Sequence, residues 1–429
     1  MKVRPANRLS SEIMLPGDKS ISHRAVMMGS IADGETRISN IATSADCAST
    51  IECFRGLGIS IERDGRDVVI HGKGKNGLQE PDAPLDCGNS GTTMRLVAGI
   101  LAGQPFDSIL TGDESLRSRP MKRIIDPLTA MGGQVESVDG RAPLTIQGRE
   151  ITGIQYRPPV ASAQIKSCVL LAGLFASGET TVIETTPTRD HTEITLRQFG
   201  VDAEVSRQAE ATRISVTGDA KLQGTAVNVP GDISSAAFFM VAAASLAGSR
   251  LKLVNVGLNP TRSAVIELLR KLGVRVTIDS YSRSVGEAAG DVTIEGGIER
   301  GESANVLSGA IIANVIDELP VLAVLGTQLE QGLEVRDARE LRVKESDRIA
   351  SVVTNLRKMG ADVEEFDDGF RVARSRLTGA DVDSFGDHRI AMAFAVAGLL
   401  ADGETTINGA ECVDVSFPGF FDVLAEVTR

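Results

Sequence analysis

The sequence predicts an α/β protein of two domains, built from six copies of one repeating unit. Its 429 residues exceed what one hydrophobic core of ordinary size accommodates, which favours two domains. In addition, one pattern recurs along the chain, namely a helix end, a glycine turn and a strand of alternating residues. The six copies begin at Ser30, Ile100, Leu174, Ser245, Gly326 and Leu399. A mixed unit of about 70 to 85 residues that repeats in this way is typical of the α/β class.

The elements follow one another in the same order in each unit. After the first strand, a polar segment leads into an amphipathic helix that ends in a large apolar residue followed by glycine. Such pairs occur at Leu57-Gly58, Met131-Gly132, Phe199-Gly200, Leu272-Gly273 and Met359-Gly360. A pair of strands usually follows; in "ISIERDGRDVVIHG", Asp64-Gly65 is a hairpin signal. The predicted unit is therefore strand, helix, strand, strand and a further helix.

The last unit is incomplete, because its helix "FFDVLAEV" has no strands after it. The chain also begins with a strand pattern, "MKVRPANRLSSEIML", and we expect this N-terminal strand to complete the last unit. Domain 1 is predicted to contain residues 1–16 and 233–429, and domain 2 residues 17–232, with three units each. The crossings are expected near 16–17 and 230–234, at Pro-Gly turns. A site between such domains could close by hinge motion.

The composition excludes several classes of protein. With 42% hydrophobic and 24% charged residues, the chain has the composition of a folded globular protein. The longest apolar runs fall short of the roughly 18 residues that a membrane span requires. The N-terminus also lacks a signal-peptide pattern, so a cytoplasmic location is expected. A net charge of -12 and the absence of Trp argue against a nucleic-acid partner.

The sequence gives no sign of a metal or a cofactor. The five cysteines are scattered without a C-x-x-C pair, which indicates neither a zinc site nor a disulfide framework. The four histidines lack the spacing of metal ligands; they are His23, His71, His191 and His388. No Ser-His-Asp or Cys-His order stands out either.

Cationic and hydroxyl side chains gather where helices are predicted to begin. "LPGDKSISHR" places Lys19, Ser20 and Arg24 at a turn that leads into a helix, and "DCGNSGTTMR" places Gly91 and Arg95 in the same way. Free N–H groups at a helix start add positive potential, so both segments suit an anion. Taken alone, each segment is explained at least as well by a capped helix with solvated charges.

Further segments of the first half repeat this arrangement. Arg119 lies just before a helix that begins near a proline, and Ser162 and Gln164 lie at the start of an apolar helix. Arg189 occupies a loop ahead of another helix. Helix capping and a solvated basic face remain the alternatives for these residues.

The second half adds carboxylates to the cations. "LRVKESDR" holds Lys344, Glu345 and Arg348 at spacings that also suit surface ion pairs. Arg389 begins an almost wholly apolar helix, where a buried arginine requires an anionic partner. Asp317, followed by Glu318, precedes another apolar run and suits either a helix cap or an acid or base.

Together these segments predict a site for a polyanion between the two domains. The donors recur at helix starts in nearly every unit, and units related by rotation would aim them at common points. Several arginines and lysines in one cleft suit a ligand, or a pair of ligands, with multiple phosphates or carboxylates. A non-catalytic anion-binding scaffold is an alternative of another class. Asp317 and Glu345 argue against that alternative, because a pure anion trap gains nothing from carboxylates.

At this point the chain resembles a known family. The segments that carry the resemblance are "LPGDKSISHR", "DCGNSGTTMR", "SRPM", "ASAQIKS", "TRDHTE", "RVKESDR" and "GDHRIAM". In this order they closely resemble the 5-enolpyruvylshikimate-3-phosphate synthase family of enolpyruvyl transferases, over essentially the whole chain. The resemblance implies a two-domain inside-out α/β barrel of six βαβαββ repeats. It also implies transfer of the enolpyruvyl group of phosphoenolpyruvate to the 5-hydroxyl of shikimate 3-phosphate, in aromatic amino-acid biosynthesis.

The resemblance implies roles for individual residues, motif by motif. The implied ligands of shikimate 3-phosphate are Lys19, Ser20, Arg24, Ser162, Ala163, Gln164, Arg189, Asp317 and Lys344. The implied ligands of phosphoenolpyruvate are Lys19, Gly91, Arg119, Gln164, Arg348 and Arg389. The reaction needs a base and an acid, and we assign Asp317 as the base and Glu345 as the acid, with Lys19 as an alternative proton carrier.

Two positions depart from the family pattern. Val415 stands where some members carry a lysine that contacts phosphoenolpyruvate, and Glu340 stands where others have asparagine. Small Gly91 leaves room for the inhibitor glyphosate, so its binding is expected, and a monomer is expected as well. The nearest rival is the related transferase that acts on UDP-N-acetylglucosamine, which depends on a reactive loop cysteine. The contexts of Cys87 and Cys168 do not favour that role.

Overall fold

The computed structural model describes residues 1–207, 210–282, 286–299 and 305–428. The chain divides into two compact units. The terminal unit contains Met1–Leu15, Pro230–Ser282 and Ala288–Arg429. The central unit contains Pro16–Val229, together with a short segment that ends at Glu287.

The strands and helices are numbered along the chain. The strands are β1 (Lys2–Val3), β2 (Ser10–Met14), β3 (Asp33–Ser39), β4 (Ser60–Asp64), β5 (Asp67–Lys73), β6 (Leu85–Asp86), β7 (Ser108–Thr111), β8 (Gln134–Val138), β9 (Arg141–Gln147), β10 (Gln155–Tyr156), β11 (Glu179–Glu184), β12 (Glu204–Arg207), β13 (Thr212–Thr217), β14 (Ala226–Asn228), β15 (Arg250–Gly257), β16 (Val274–Ser282), β17 (Ala289–Ile298), β18 (Val306–Leu307), β19 (Leu333–Val335), β20 (Val363–Phe366), β21 (Gly369–Val372), β22 (Asp381–Asp383) and β23 (Thr405–Asn408). The α-helices are α1 (Lys19–Ile31), α2 (Ala45–Gly56), α3 (Gly91–Leu101), α4 (Glu114–Ser118), α5 (Lys122–Ala130), α6 (Ala163–Gly173), α7 (His191–Gln198), α8 (Ile233–Ser245), α9 (Ala264–Lys271), α10 (Ala310–Val315), α11 (Leu319–Gly326), α12 (Arg348–Lys358), α13 (His388–Leu400) and α14 (Phe420–Val427). Short 3₁₀ helices cover Arg339–Val343 and Ala410–Val415.

The central unit contains three four-stranded sheets of one topology. In each sheet, a first strand pairs in parallel with a second, which pairs antiparallel with the inner strand of a hairpin. The strand orders are β14-β3-β5-β4, β6-β7-β9-β8 and β10-β11-β13-β12. A helix joins the two parallel strands of the second and third sheets, as a parallel connection requires.

Three helices of the central unit, α1, α3 and α6, are buried on almost every side. The sequences of α3 and α6 are largely apolar, which is the pattern of a buried helix, whereas α1 also buries polar residues such as His23 and Arg24. The second helices of the repeats, α2, α5 and α7, bury only part of their surface. The N-termini of the three buried helices are therefore held in place by the core of the unit.

The terminal unit repeats this arrangement. Its sheets have the orders β2-β15-β17-β16, β18-β19-β21-β20 and β22-β23-β1, and the last of these has three strands. Its buried helices are α8, α11 and α13. Phe239 packs against Phe417 and Phe420 in the same core, at ring-centroid distances of 6.2 Å and 5.4 Å.

The structure confirms the α/β class and most of the local signals. The five predicted helix-ending glycines all have left-handed φ angles; they are 82° at Gly58, 92° at Gly132, 85° at Gly200, 89° at Gly273 and 81° at Gly360. The hairpin signal is also confirmed, because β4 and β5 flank a turn in which Gly65 has φ 57°.

The N-terminal segment forms two strands instead of the predicted one, and the first of them completes the last repeat as expected, whereas the second does not. Strand β1 pairs antiparallel with β23, whereas β2 pairs in parallel with β15 of a different sheet. Pro5 lies between the two strands, where its missing N–H and fixed φ disfavour a continuous strand. No helix among the described residues has the length and apolar character that a membrane span needs.

Candidate active site

Most of the predicted site residues lie where helices begin. In the central unit they are at or near the first turns of α1, α3 and α6, and in the terminal unit at those of α11 and α13. Arg119, Arg189 and Lys344 lie in the segments that lead into α5, α7 and α12. Because the first N–H groups of a helix have no partner within it, these positions favour anions.

Lys19 is held at the start of α1 by a carboxylate. The side chain of Asp18 caps this helix by accepting a hydrogen bond from the Ile21 N–H at 2.9 Å. Lys19 Nζ lies 2.9 Å from Asp46 Oδ2, which belongs to α2. The Lys19 side chain is 30% exposed, so its ammonium group is accessible to a ligand.

Arg24 lies almost fully buried one turn further along α1. It donates to Ser20 O at 2.8 Å, to Ser167 Oγ at 2.8 Å and to Thr192 Oγ1 at 2.7 Å. Burial lowers its pKa to about 10, and the positive charge of Arg189 acts in the same direction, while three nearby carboxylates act in the opposite one. Arg24 therefore stays charged at neutral pH.

Gln164 belongs to a second cluster in the central unit. Its Oε1 accepts a hydrogen bond from Arg95 Nη1 at 2.6 Å, and its Nε2 donates to Thr92 Oγ1 at 3.1 Å. Burial, together with the charges of Arg123 and Arg119, lowers the pKa of Arg95 to about 9. This cluster of like charges favours an anionic ligand.

Gly91 and Arg119 complete this cluster. A Cβ atom added to Gly91 would lie 2.8 Å from Arg95 Nη1 and 3.6 Å from Arg119 Nη1. Arg119 Nη2 donates to Asn89 Oδ1 at 2.6 Å, which fixes its guanidinium beside the start of α3. Arg95 was absent from the predicted ligands, although it shares a motif with Gly91; its role is to orient the Gln164 amide.

Ser162 and Ala163 occupy the start of α6. The Ser162 hydroxyl accepts a hydrogen bond from the Ile165 N–H at 3.4 Å, so this serine caps the helix, and Ala163 is the first helical residue. Helix capping, the alternative role considered for Ser162, is therefore confirmed. It does not exclude contact with a ligand.

Arg348 is the centre of the cluster in the terminal unit. It is 1% exposed, and its Nε lies 2.8 Å from Asp387 Oδ2. Its Nη2 lies 2.7 Å from Glu345 Oε2, and its Nη1 lies 3.5 Å from Asp317 Oδ1. Burial alone would lower the pKa of Arg348, but the three carboxylates raise it above its usual value.

Glu345 is ionised in this arrangement. Burial would raise its pKa, but Arg348 and His388 outweigh burial and lower the pKa to about 2. A group with this pKa holds no proton at neutral pH. For Glu345 to act as an acid, its neighbouring cations must first be neutralised.

Asp317 lies among three arginines. Besides Arg348, the Arg389 Nε lies 4.0 Å from Asp317 Oδ1, and Arg389 Nη1 donates to the Asp317 carbonyl at 3.0 Å. On the other side, Arg262 Nη1 lies 3.8 Å from Asp317 Oδ2. Arg262 was missed from the sequence, although it lies just before the second helix of its repeat, as Arg119 and Arg189 do.

Lys344 pairs with a residue that does not belong to this cluster. Its Nζ forms an ion pair with Glu340 at 2.9 Å, and Glu340 is largely exposed. Val415, the position that departs from the family pattern, ends the 3₁₀ helix Ala410–Val415. The structure thus joins Asp317, Glu345, Arg348 and Arg389, while Lys344 contacts Glu340 instead.

The comparisons with known proteins identify the family. A model of the EPSP synthase (3-phosphoshikimate 1-carboxyvinyltransferase) family matches residues 3–424. The chain is similar to 3-phosphoshikimate 1-carboxyvinyltransferases of Koribacter versatilis, with 52% identity, and Solibacter usitatus, with 50%. In both cases the alignment covers 100% of this chain and 99% of the relative.

A solved structure agrees with these sequence relatives. EPSP synthase from Acinetobacter baumannii has a TM-score of 0.90 and 42% identity to this chain. The alignment covers 99% of this chain and 97% of the other. Over its whole length, therefore, the chain belongs to the EPSP synthase family.

Proposed function

We propose that this chain transfers the enolpyruvyl group of phosphoenolpyruvate to the 5-hydroxyl of shikimate 3-phosphate and releases inorganic phosphate. This is the 3-phosphoshikimate 1-carboxyvinyltransferase reaction of the shikimate pathway. The observation that carries the proposal is the cluster in which Asp317 and Glu345 contact Arg348 and Arg389. Such a cluster offers both anion binding and proton transfer, as this reaction requires.

The assignment of ligands follows the family motifs and is supported by the helix starts. The proposed ligands of shikimate 3-phosphate are Lys19, Ser20, Arg24, Ser162, Ala163, Gln164, Arg189, Asp317 and Lys344. The proposed ligands of phosphoenolpyruvate are Lys19, Gly91, Arg119, Gln164, Arg348 and Arg389. The buried charge of Arg24 and the nearby charge of Arg189 support a phosphate there, because both favour an anion.

In the proposed mechanism, Asp317 takes the proton of the 5-hydroxyl of shikimate 3-phosphate while the hydroxyl oxygen forms a bond to C2 of phosphoenolpyruvate. Carbon C3 gains a proton, which gives a tetrahedral intermediate. The Glu345 carboxylate then takes a proton back from C3 while the bond between C2 and the phosphate oxygen breaks, which releases phosphate and forms the enol ether. Arg348, Arg389 and Arg119 stabilise the charge of the departing phosphate.

The proton for C3 is proposed to come from Glu345, with Lys19 as the alternative carrier. The low pKa of Glu345 arises from its contact with Arg348 and from the positive charge of His388. When the anionic groups of phosphoenolpyruvate bind Arg348, they offset its charge, and the pKa of Glu345 rises. Substrate binding would therefore prepare the acid.

The sibling reaction on UDP-N-acetylglucosamine is not favoured. That enzyme class depends on a reactive cysteine, whereas burial raises the pKa of Cys47 and of Cys168 to about 12. Burial also raises the pKa of the half-buried Cys412. Thiols with raised pKa values are poor nucleophiles at neutral pH.

We further propose a cytoplasmic monomer in which the two compact units are the two predicted domains. Each unit would be an inside-out barrel, a proposal supported by its three buried helices. Glyphosate is proposed to bind in competition with phosphoenolpyruvate, since Gly91 adds no side chain beside the cations of Arg95 and Arg119.

The proposal is tested by phosphate release from the purified protein with both substrates present. We expect activity in the wild type, and loss of at least about 100-fold in Asp317→Ala and Lys19→Ala. Asp402→Ala and Lys2→Ala are matched controls, because both residues form exposed ion pairs elsewhere. An anion-binding scaffold would bind the substrates without releasing phosphate, and unchanged rates in both site variants would refute the residue assignment.

A further inference from the structure

We propose that Arg262 is a positioning residue that keeps Asp317 ionised and oriented for its role as the base. The inference rests on the proposed function, in which Asp317 accepts a proton. Arg262 lies in the terminal unit, in the segment between β15 and α9. It is 6% exposed, so burying its charge is costly unless the protein provides partners.

Those partners form a buried chain that anchors the guanidinium. Arg262 Nη2 donates to Ser234 Oγ, and Ser234 Oγ donates in turn to Glu318 Oε1. Ser234 lies in the first turn of α8 and Glu318 directly precedes α11, so Arg262 is fixed against two buried helices. Asp232 Oδ1, at 3.9 Å, adds a weaker contact.

From this anchor, Arg262 approaches the Asp317 carboxylate at a different oxygen atom from Arg348 and Arg389. Arg348 and Arg389 approach Oδ1, at 3.5 Å and 4.0 Å. Arg262 approaches Oδ2, at 3.8 Å. The three cations are therefore divided between the two oxygen atoms of one carboxylate.

Because of this division, Arg262 can act on Asp317 independently of Arg348 and Arg389. Arg348 and Arg389 are proposed ligands of phosphoenolpyruvate, so substrate anions offset their charges. Arg262 is anchored by Ser234 and Glu318, and its charge still favours the ionised form of Asp317 when the substrate is bound. Its charge acts at Oδ2, whereas the charges of Arg348 and Arg389 act at Oδ1.

The position of Arg262 within its repeat supports the inference independently. Arg119 and Arg189 each lie in the segment that leads into the second helix of a repeat, and both are proposed anion ligands. Arg262 occupies the corresponding segment, before α9. Here the arginine contacts a carboxylate of the protein, so the same position acts on the base.

The effect of removing Arg262 on the pH profile depends on the other charged groups around Asp317. Arg262, Arg348 and Arg389 face its carboxylate directly. The nearby acidic groups are Asp232 and Glu318 around Arg262, and Glu345 and Asp387 around Arg348. Removing the charge of Arg262 leaves these acidic groups in place, so the pKa of Asp317 must rise.

The test is the pH dependence of kcat/KM for Arg262→Gln and Arg262→Lys. In Arg262→Gln we expect kcat to fall about 10- to 100-fold through misplacement of the base. We also expect the acidic limb of the profile to move by about 1 to 3 pH units toward neutral pH. Arg262→Lys retains the charge, so its acidic limb should stay at the wild-type position even if kcat falls.

The control is Arg270→Gln, which removes an arginine of α9 that pairs with Glu267 on the surface. Wild-type kcat and pH profile are expected there. The inference is overturned if Arg262→Gln keeps the wild-type kcat and limb, or if Arg262→Lys shifts the limb as glutamine does. If Arg262→Gln does not fold, Ser234→Ala takes its place, because it removes the hydrogen bond that anchors Arg262 Nη2, and a wild-type kcat and limb in that variant would also overturn the inference. Lack of phosphate release by the wild type would overturn the proposed function, and this inference with it.

Discussion

At the scale of single residues, Gly91 shows how little space separates the cations of the central unit. A methyl group on this residue would lie 2.8 Å from Arg95 Nη1 and 3.4 Å from Arg95 Cζ. Arg95 would have to move, and Gln164, which accepts its hydrogen bond, would lose its orientation. The glycine is therefore required for the placement of these donors.

We predict that Gly91→Ala raises the KM for phosphoenolpyruvate by about tenfold or more, because a shift of about 1 Å in a binding group has effects of this size. Steady-state kinetics with each substrate varied in turn measure this. The melting temperature should change little, since the displaced guanidinium is the end of a flexible side chain.

Gly200→Ala is the matched comparison. Gly200 ends α7 with φ 85° and open space around it, so alanine there strains the backbone by about 1 to 2 kcal/mol. This variant should lower the melting temperature and leave the KM unchanged. Equal KM values for Gly91→Ala and the wild type would contradict the proposed role of Gly91.

At the scale of elements, a buried chain of hydroxyl groups links the first three helices. His23 Nδ1 of α1 lies 2.7 Å from Thr50 Oγ1 of α2, which lies 2.7 Å from Thr93 Oγ1 of α3. The Thr93 hydroxyl donates to Ser90 Oγ at 2.7 Å, next to Gly91. The chain therefore fixes the start of α3 relative to α1.

His23 makes this link sensitive to acid. Burial lowers its pKa from 6.5 to about 3, so the folded state binds fewer protons than the unfolded state between these values. The stability that neutral His23 preserves is therefore present above pH 6.5 and is lost as the pH falls below it. At pH 5.5 the loss relative to pH 7.5 is about 1.4 kcal/mol.

We predict that His23→Gln removes this part of the pH dependence. Urea unfolding at pH 5.5 and pH 7.5 should show a difference about 1.4 kcal/mol smaller in the variant than in the wild type. His71→Gln is the control, because His71 is exposed and its ring nitrogen lies 3.5 Å from the exposed Glu62. The same pH difference in His23→Gln and in the wild type would show that His23 is not buried in its neutral form.

The elements also show which features a sequence can predict. Gly58 and Gly65 were predictable because their left-handed conformations are local properties of the chain. Strand β2 was assigned to the wrong sheet because its partner, β15, lies more than 200 residues away and nothing near Ile13 specifies it.

The site shows the same limit. Lys19, Gly91 and Arg348 belong to dense motifs and could be named from the sequence. Arg262 could not, because its contact with Asp317 spans 55 residues and depends on the packing of α8 and α11. The low pKa of Glu345 was equally hidden, since it arises from Arg348 and His388 in the folded chain.

At the scale of the whole molecule, the two units differ in the part of the chain that each requires. The central unit consists of one long stretch of chain, Pro16–Val229, and a short second segment that ends at Glu287. The terminal unit needs both ends of the chain, because Met1–Leu15 supplies β1 and β2. The apolar residues that this segment adds to its core are Val3, Leu9, Ile13 and Leu15.

The loss of this segment should abolish the fold of the terminal unit. Burying four large apolar side chains contributes about 6 to 12 kcal/mol. The total stability of a domain is only about 5 to 15 kcal/mol. We therefore predict that residues 230–429 alone show no cooperative unfolding, whereas residues 16–229 alone fold. Urea unfolding followed by circular dichroism measures this for both fragments.

Joining residues 1–15 behind residue 429 through a flexible Gly/Ser linker should restore cooperative unfolding to the terminal unit. This rearranged fragment contains all residues of the terminal unit, and in addition residues 283–287 and the linker, so it separates the missing strands from other effects of cutting the chain. A variant of it with Leu9→Asp and Ile13→Asp is the matched control, because it keeps the length but cannot bury the two side chains. If residues 230–429 unfolded as cooperatively without the added segment as with it, β1 and β2 would be dispensable, and the N-terminal residues would not be an integral part of this unit.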